Sequence, residues 1–143
     1  MLIADLLKHK GSSVVTIAPD AVVTALLAAL AEHRVGALVV LDGDRIVGII
    51  SERDVVRSLH DRGASALELP VSELMTSPVI SCSPGDGIDQ IALLMTERRF
   101  RHMPVVTDGS LIGIVTIGDV VAARIRQLEF DRKHLESYIS QGA

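Results

Sequence analysis

The chain has 143 residues, a formal net charge of −4 and a composition that is 48% hydrophobic but only 2% aromatic. That length buries a substantial core in one domain-sized unit, which here must be built from Val, Ile, Leu and Ala. The acidic balance and the scarcity of stacking rings argue against nucleic acid and anionic membranes as partners, and a single cysteine, Cys82, excludes an intramolecular disulfide or a cysteine zinc cluster.

Residues 1–10 set Leu2, Ile3, Leu6 and Leu7 on one helical face, so they predict a short docking helix. No basic stretch leads into a long apolar one, unlike a signal peptide. Gly11-Ser12-Ser13 breaks the helix, a short strand follows at residues 14–17, and Ala18-Pro19-Asp20 turns the chain. Residues 21–34, rich in Ala and Leu, predict a mostly buried helix. Its apolar run at residues 25–31 is the longest in the chain and far too short to span a bilayer. The expectation is a soluble, cytoplasmic protein. Residues 37–41 read as a strand, Asp42-Gly43-Asp44 as a hairpin turn and residues 45–50 as the returning strand. Ser51 opens a second helix that runs to about Arg62.

The order then repeats. Gly48-Ile49-Ile50-Ser51-Glu52-Arg53-Asp54-Val55-Val56 has its counterpart in Gly113-Ile114-Val115-Thr116-Ile117-Gly118-Asp119-Val120-Val121, and Gly113 stands 65 residues after Gly48, as Pro84 does after Pro19. The second copy predicts a strand at residues 79–82, a helix at 88–99, a strand at 103–106, a turn at 107–110, a strand at 111–115 and a helix from Thr116 past Ile125. Residues 63–78 join the copies, with a short helix expected at 71–76. The fold class is therefore α+β (mixed α/β): two pseudo-symmetric β-α-β-β-α repeats, each a three-stranded sheet covered by two helices. The divisions are a helical segment at 1–13, repeats at 14–62 and 79–125 with the linker between them, and a helical tail at 126–143. In the tail, Leu128, Leu135, Tyr138 and Ile139 recur at helix-like intervals, which suits either a solvated helix end or a helix packed on a second subunit.

Two readings compete for the doubled motif. Ser51-Glu52-Arg53-Asp54 and Thr116-Ile117-Gly118-Asp119 both fit a helix-capping box, which needs no ligand. A hydroxyl beside free amides at a helix start also suits a phosphate, an Asp one turn in can accept both hydroxyls of a ribose, and Gly48 or Gly113 leaves room for a ligand against the strand. Recurrence at the same place in each repeat favours binding.

On these motifs, each half resembles a CBS domain, the module named after cystathionine β-synthase, and the pair resembles a Bateman module over residues 14–125. Supporting features are Thr16 or Ser81 followed by Pro19 or Pro84, and Arg101-His102-Met103-Pro104-Val105-Val106 before the last hairpin. The resemblance implies a non-enzymatic sensor that binds an adenine nucleotide (AMP, ADP, ATP, NAD or S-adenosylmethionine) in two clefts between the halves. It maps the ribose-holding carboxylates to Asp54 and Asp119, and the phosphate- or ribose-facing hydroxyls to Ser51 and Thr116. The base would lie against Thr16, Ile17, Gly36 and Ala37 in one half and Ser81, Cys82, Arg101 and His102 in the other. It further implies a homodimer and an effector protein, since output must pass to a partner.

The copies differ in charge. Arg53 can fork onto a phosphate, but Gly118 replaces it in the second copy, and Arg101 or His102 could serve either cleft. The first cleft is thus expected to hold phosphates more strongly. In the second, two carboxylates would repel an anion and favour a neutral adenosine moiety or no ligand. Val39 stands where the family often has proline. The five histidines lack metal-ligand spacing and read as surface residues, His102 excepted. Cys82 reads as an inert small hydrophobe, and no base accompanies a nucleophile.

Overall fold

The computed structural model describes residues 1–11 and 13–142. Ser12, within the expected break after the first helix, and Ala143, at the end of the tail, lie outside the described residues. The elements in order are α1 (Ile3–Lys10), β1 (Thr16–Ile17), α2 (Val23–His33), β2 (Ala37–Asp42), β3 (Arg45–Ser51), α3 (Glu52–Arg62), α4 (Ile88–Arg98), β4 (His102–Thr107), β5 (Ser110–Thr116) and α5 (Ile117–Gly142). Between α3 and α4 the chain makes two 3-10 turns, Gly63–Glu68 and Val71–Glu73, the second inside the short helix expected there. The mixed α/β class with two repeats is the one read from the sequence.

β-branched runs make the strands, and turn chemistry joins them. β2 and β3 pair antiparallel across a two-residue loop, Gly43-Asp44, with Gly43 at φ 64°. β4 and β5 do the same across Asp108-Gly109, where both residues have positive φ, the backbone that matches the twist of a hairpin. The ladders share a register shift at equivalent places, Val40/Leu41 and Val105/Val106.

One expected element is reduced. β1 pairs parallel with β2 through Thr16 to Val39 and Ile17 to Val40, completing a three-stranded sheet. The strand expected at residues 79–82 is only a bridge, Cys82 to Val105, so the second sheet has two strands. The partner of Ser81 would be Pro104, which has no N–H to offer a ladder, whereas Val39 has one. Cys82 N–H still donates to Pro104 O (2.9 Å), and Val106 N–H to Cys82 O (2.8 Å).

Each core borrows a segment from ahead of the other repeat. Ile3, Leu6 and Leu7 of α1 are buried with Ile88, Met103, Val105 and Val120 of the second repeat, while Val71 of the linker is buried with Val23, Leu38, Val40 and Ile50 of the first. The backbone bonds run in parallel. Val71 N–H donates to Ala21 O (2.7 Å) and Ser72 N–H to Pro19 O (3.0 Å); Ile3 N–H donates to Asp86 O (2.9 Å) and Ala4 N–H to Pro84 O (2.9 Å). The paired prolines thus hold an exchange of segments, not only the helix starts that follow them.

α5 is continuous over 26 residues. Val120 and Ala123 are buried against the body, and Arg124 pairs with Asp89 of α4 at 2.8 Å. Every residue from Leu128 to Gly142 is exposed.

Candidate functional site

The two motifs occupy the points where a strand becomes a helix, β3 into α3 and β5 into α5. At the first, Asp54 Oδ2 accepts from Ser51 N–H (2.9 Å) and from the Ser51 hydroxyl (3.1 Å), while Oδ1 accepts from the Thr76 hydroxyl (3.3 Å). At the second, Thr116 N–H donates to Asp119 Oδ2 (2.9 Å) and Asp119 N–H donates back to the Thr116 hydroxyl (3.1 Å), a reciprocal capping box. The next amide at each start is also taken, Glu52 N–H by Gly36 O (3.0 Å) and Ile117 N–H by Arg101 O (2.9 Å). The amides of Ser51 and Glu52 at the first start, and of Thr116, Ile117 and Asp119 at the second, are therefore already engaged. The half-buried carboxylates and hydroxyls remain as the groups a ligand can meet.

Gly48 and Gly113 do not leave room for a ligand, contrary to expectation. A Cβ at Gly48 would collide with Met75 Sδ and lie 3.1 Å from Thr76 O; one at Gly113 would lie 2.8 Å from Leu7 Cδ2. The glycines admit the exchanged segments, which cross tightly over β3 and β5.

That crossing brings in residues the motif does not contain. Thr76 N–H donates to Ile49 O (2.8 Å), and its hydroxyl reaches Asp54. In the second half, Lys10 does both jobs with one ammonium, donating to Ile114 O (2.8 Å) and to Asp119 Oδ2 (2.5 Å). The premise that two bare carboxylates would repel an anion there fails, because a cation stands against one of them. Burial works against ionisation of Asp119, but the hydrogen bonds from Lys10 and Thr116 outweigh it and hold the carboxyl below its ordinary range.

Residues of the two halves meet beside this ion pair. A Cβ at Gly36 would lie 3.7 Å from His102 Nε2 and 3.8 Å from a Glu52 carboxylate oxygen. Burial, with the charges of Lys10 and Arg101, lowers the His102 pKa from its ordinary 6.5, against opposing pulls from Glu52 and Asp119. Gly36, His102, Arg101, Thr116 and Asp119 from the sequence reading thus share a neighbourhood with Lys10 and Glu52, which that reading missed. No motif marks Lys10; the signal was the cation ending the predicted first helix.

The remaining candidates are dispersed. Thr16 is exposed and Ile17 half-buried on β1, Ala37 is buried at the start of β2, and Arg53 is exposed on the first turn of α3. The Cys82 side chain is part of the second core, with burial and then Asp86 pushing its thiol up to about 12, so the thiol is inert. Ser81 is exposed and lines a cleft of about 690 Å³ with Val47, Met75, Pro78 and Val106. This is the size of a small-molecule site, and Met75 and Ser77, which flank the Asp54 partner Thr76, both line it. Among the described residues no group of three or more His, Cys, Asp or Glu could hold a metal ion, and no helix is long and apolar enough to cross a membrane.

The model of the CBS domain matches residues 4–61 and 71–126. The chain is 34% identical over 149 aligned residues to the CBS domain-containing protein CBSX3, mitochondrial, of Arabidopsis thaliana, covering 98% of this chain and 72% of that one. The CBS-domain protein ATU1752 of Agrobacterium tumefaciens superposes with a TM-score of 0.85 at 42% identity, covering 87% of this chain and 99% of that one. The CBS domain pair of protein MJ0100, solved in complex with 5'-methylthioadenosine and S-adenosyl-L-methionine, superposes with a TM-score of 0.77 at 25% identity, over 86% of this chain and 98% of that one.

Proposed function

The chain belongs to the CBS-domain family, and from that premise we propose that it is a non-enzymatic regulatory module that binds an adenine nucleotide between its two repeats. The observation that carries this reading is the pair of half-buried carboxylates, Asp54 and Asp119, each fixed by its own strand-end amide at 2.9 Å. A carboxylate locked by one oxygen is pre-organised to receive a ribose diol without first paying to order itself. The adenosine-type ligands of protein MJ0100 support the same chemistry. AMP, ATP, NAD and S-adenosylmethionine share the ribose and differ in what extends from it. In the first half, the base would enter the cleft beside Ser81, with Arg53 and Ser51 toward the phosphates. Thr16, Ile17, Gly36 and Ala37 complete that half's proposed contacts; Arg101, His102 and Thr116 complete the other's, with Cys82 bonded into the sheet behind them.

Bound ligand would bridge residues of both repeats and shift the population toward one relative arrangement. A second copy of the chain and then an effector protein in the cytoplasm would read that shift. Along α5, Val121, Ile125, Leu128, Arg132, Leu135 and Ile139 follow the alternating four- and three-residue spacing of a coiled-coil seam, all facing solvent. Flanking charges of both signs, Arg124, Glu129, Asp131, Lys133 and Glu136, suit pairing with an identical helix better than with a strongly charged partner.

A second reading, an interaction module without ligand, is favoured by the hydrogen bonds each motif makes within itself, reciprocal at Thr116 and Asp119 and one-way from Ser51 to Asp54. Calorimetric titration with AMP, ATP, NAD and S-adenosylmethionine separates the two. Wild-type protein is expected to bind at least one in the micromolar range, and Asp54→Ala with Asp119→Ala to weaken it at least tenfold while remaining folded. No binding of any of them up to millimolar concentration defeats the sensor reading.

A further inference from the structure

We propose that Lys10 sets the ligand preference of the second cleft, selecting adenosine that carries a phosphate over the unphosphorylated nucleoside. The inference rests on the nucleotide reading above and sharpens it. Its basis is a broken symmetry. In the first half, the crossing segment contacts the β3 carbonyl of Ile49 and the motif carboxylate through Thr76, a neutral amide and a neutral hydroxyl. In the second half, the equivalent carbonyl, Ile114 O, and the equivalent carboxylate, Asp119, are both held by the Lys10 ammonium at 2.8 and 2.5 Å.

An ammonium has three donors. Two are used here, and the Lys10 side chain keeps 30% of its exposure, so the third donor can turn to a ligand oxygen. Lys10 engages Asp119 through Oδ2, which also takes Thr116 N–H; among the described residues no donor reaches Oδ1. One carboxylate oxygen therefore remains to accept a ribose hydroxyl while the ammonium stands beside it for a phosphate. Arg101 and His102 add positive or protonatable groups to the same neighbourhood, against one further carboxylate, Glu52. This reverses the expectation that the second cleft favours a neutral ligand.

Substitution of Lys10 tells selection from obstruction. If Lys10 merely filled the cleft, removing it would strengthen every ligand alike. If it selects, removing it weakens only ligands with a phosphate, by roughly tenfold for one lost charge-assisted hydrogen bond.

The test is calorimetric titration of adenosine and AMP into Asp54→Ala protein, which isolates the second cleft, with and without Lys10→Met. The expected result is that AMP binds more tightly than adenosine, that Lys10→Met weakens AMP about tenfold while adenosine stays within twofold, and that Lys10→Arg retains the preference. An unchanged AMP-to-adenosine ratio, or equal tightening of both, overturns the inference and leaves the nucleotide reading standing. Binding of neither compound to wild-type or Asp54→Ala protein overturns the inference, and the nucleotide reading falls with it only if ATP, NAD and S-adenosylmethionine fail to bind as well. Should Lys10→Met melt early, Lys10→Gln carries the same comparison, because it keeps a polar end and loses the charge.

Discussion

Opposed influences meet on His102. Lys10 and Arg101 lower its proton affinity, Glu52 and Asp119 raise it, and burial decides the balance downward. Its neutral form is thus favoured by folding. The unfolded chain takes up the proton first as pH falls, so the His102 contribution to stability is present above about pH 6.5 and lost as pH drops below it. Asp119 acts in the same direction but further into acid, since its depressed pKa gives stability that disappears as pH falls through the folded value. The stability advantage of wild type over His102→Gln should therefore shrink between pH 7.5 and 5, measured by thermal melting in one buffer series. A difference that stays flat across that interval would remove His102 from any role in sensing charge at the cleft. Its place at the cleft was legible from its position before the last hairpin. Of the groups that tune it, Lys10 and Glu52 were not, because they come from α1 and α3, distant in the chain.

At the level of elements, the exchanged segments set the tolerances. Gly48 faces both a flexible Met75 side chain and the Thr76 carbonyl, which is hydrogen-bonded to Ile49 N–H at 3.1 Å and cannot turn aside. Gly113 faces only the Leu7 methyls. Gly48→Ala is accordingly expected to cost about 1–3 kcal/mol through overpacking, and Gly113→Ala less. Leu7→Ala should recover part of the Gly113→Ala loss, giving a favourable coupling in a double-mutant cycle by chemical denaturation. Additive losses would mean that Leu7 does not crowd Gly113. The helices and hairpins themselves were readable, since periodicity, Ser51 and Thr116 caps and the Gly-containing turns are local signals. The strand at residues 79–82 was over-read because a ladder needs a donor on its neighbour, and Pro104 withholds one.

On the scale of the whole molecule, the feature without a partner is the end of α5. From Leu128 to Gly142 every residue is exposed, and an isolated helix shorter than roughly 12–15 residues is marginal in water. A paired seam would supply the missing burial. Light scattering on a sizing column should give about twice the 15.3 kDa chain mass, and Leu128→Asp with Leu135→Asp should yield monomer with lower helical content by circular dichroism. A monomeric wild type with undiminished helicity would show that the tail stands alone.

Sequence alone determined the duplication, the class of each repeat and the two strand-to-helix junctions with their hydroxyl and carboxylate, because each is written in spacing along one stretch of chain. Tertiary structure decided what surrounds those junctions. Residues 1–10 and 71–76 cross to the opposite repeat, so Leu7 and Met75 fill the space against the glycines and Lys10, rather than a second neutral hydroxyl, meets Asp119. Contacts between residues a hundred positions apart follow from how two cores share their coverings, and local pattern has no means of recording that.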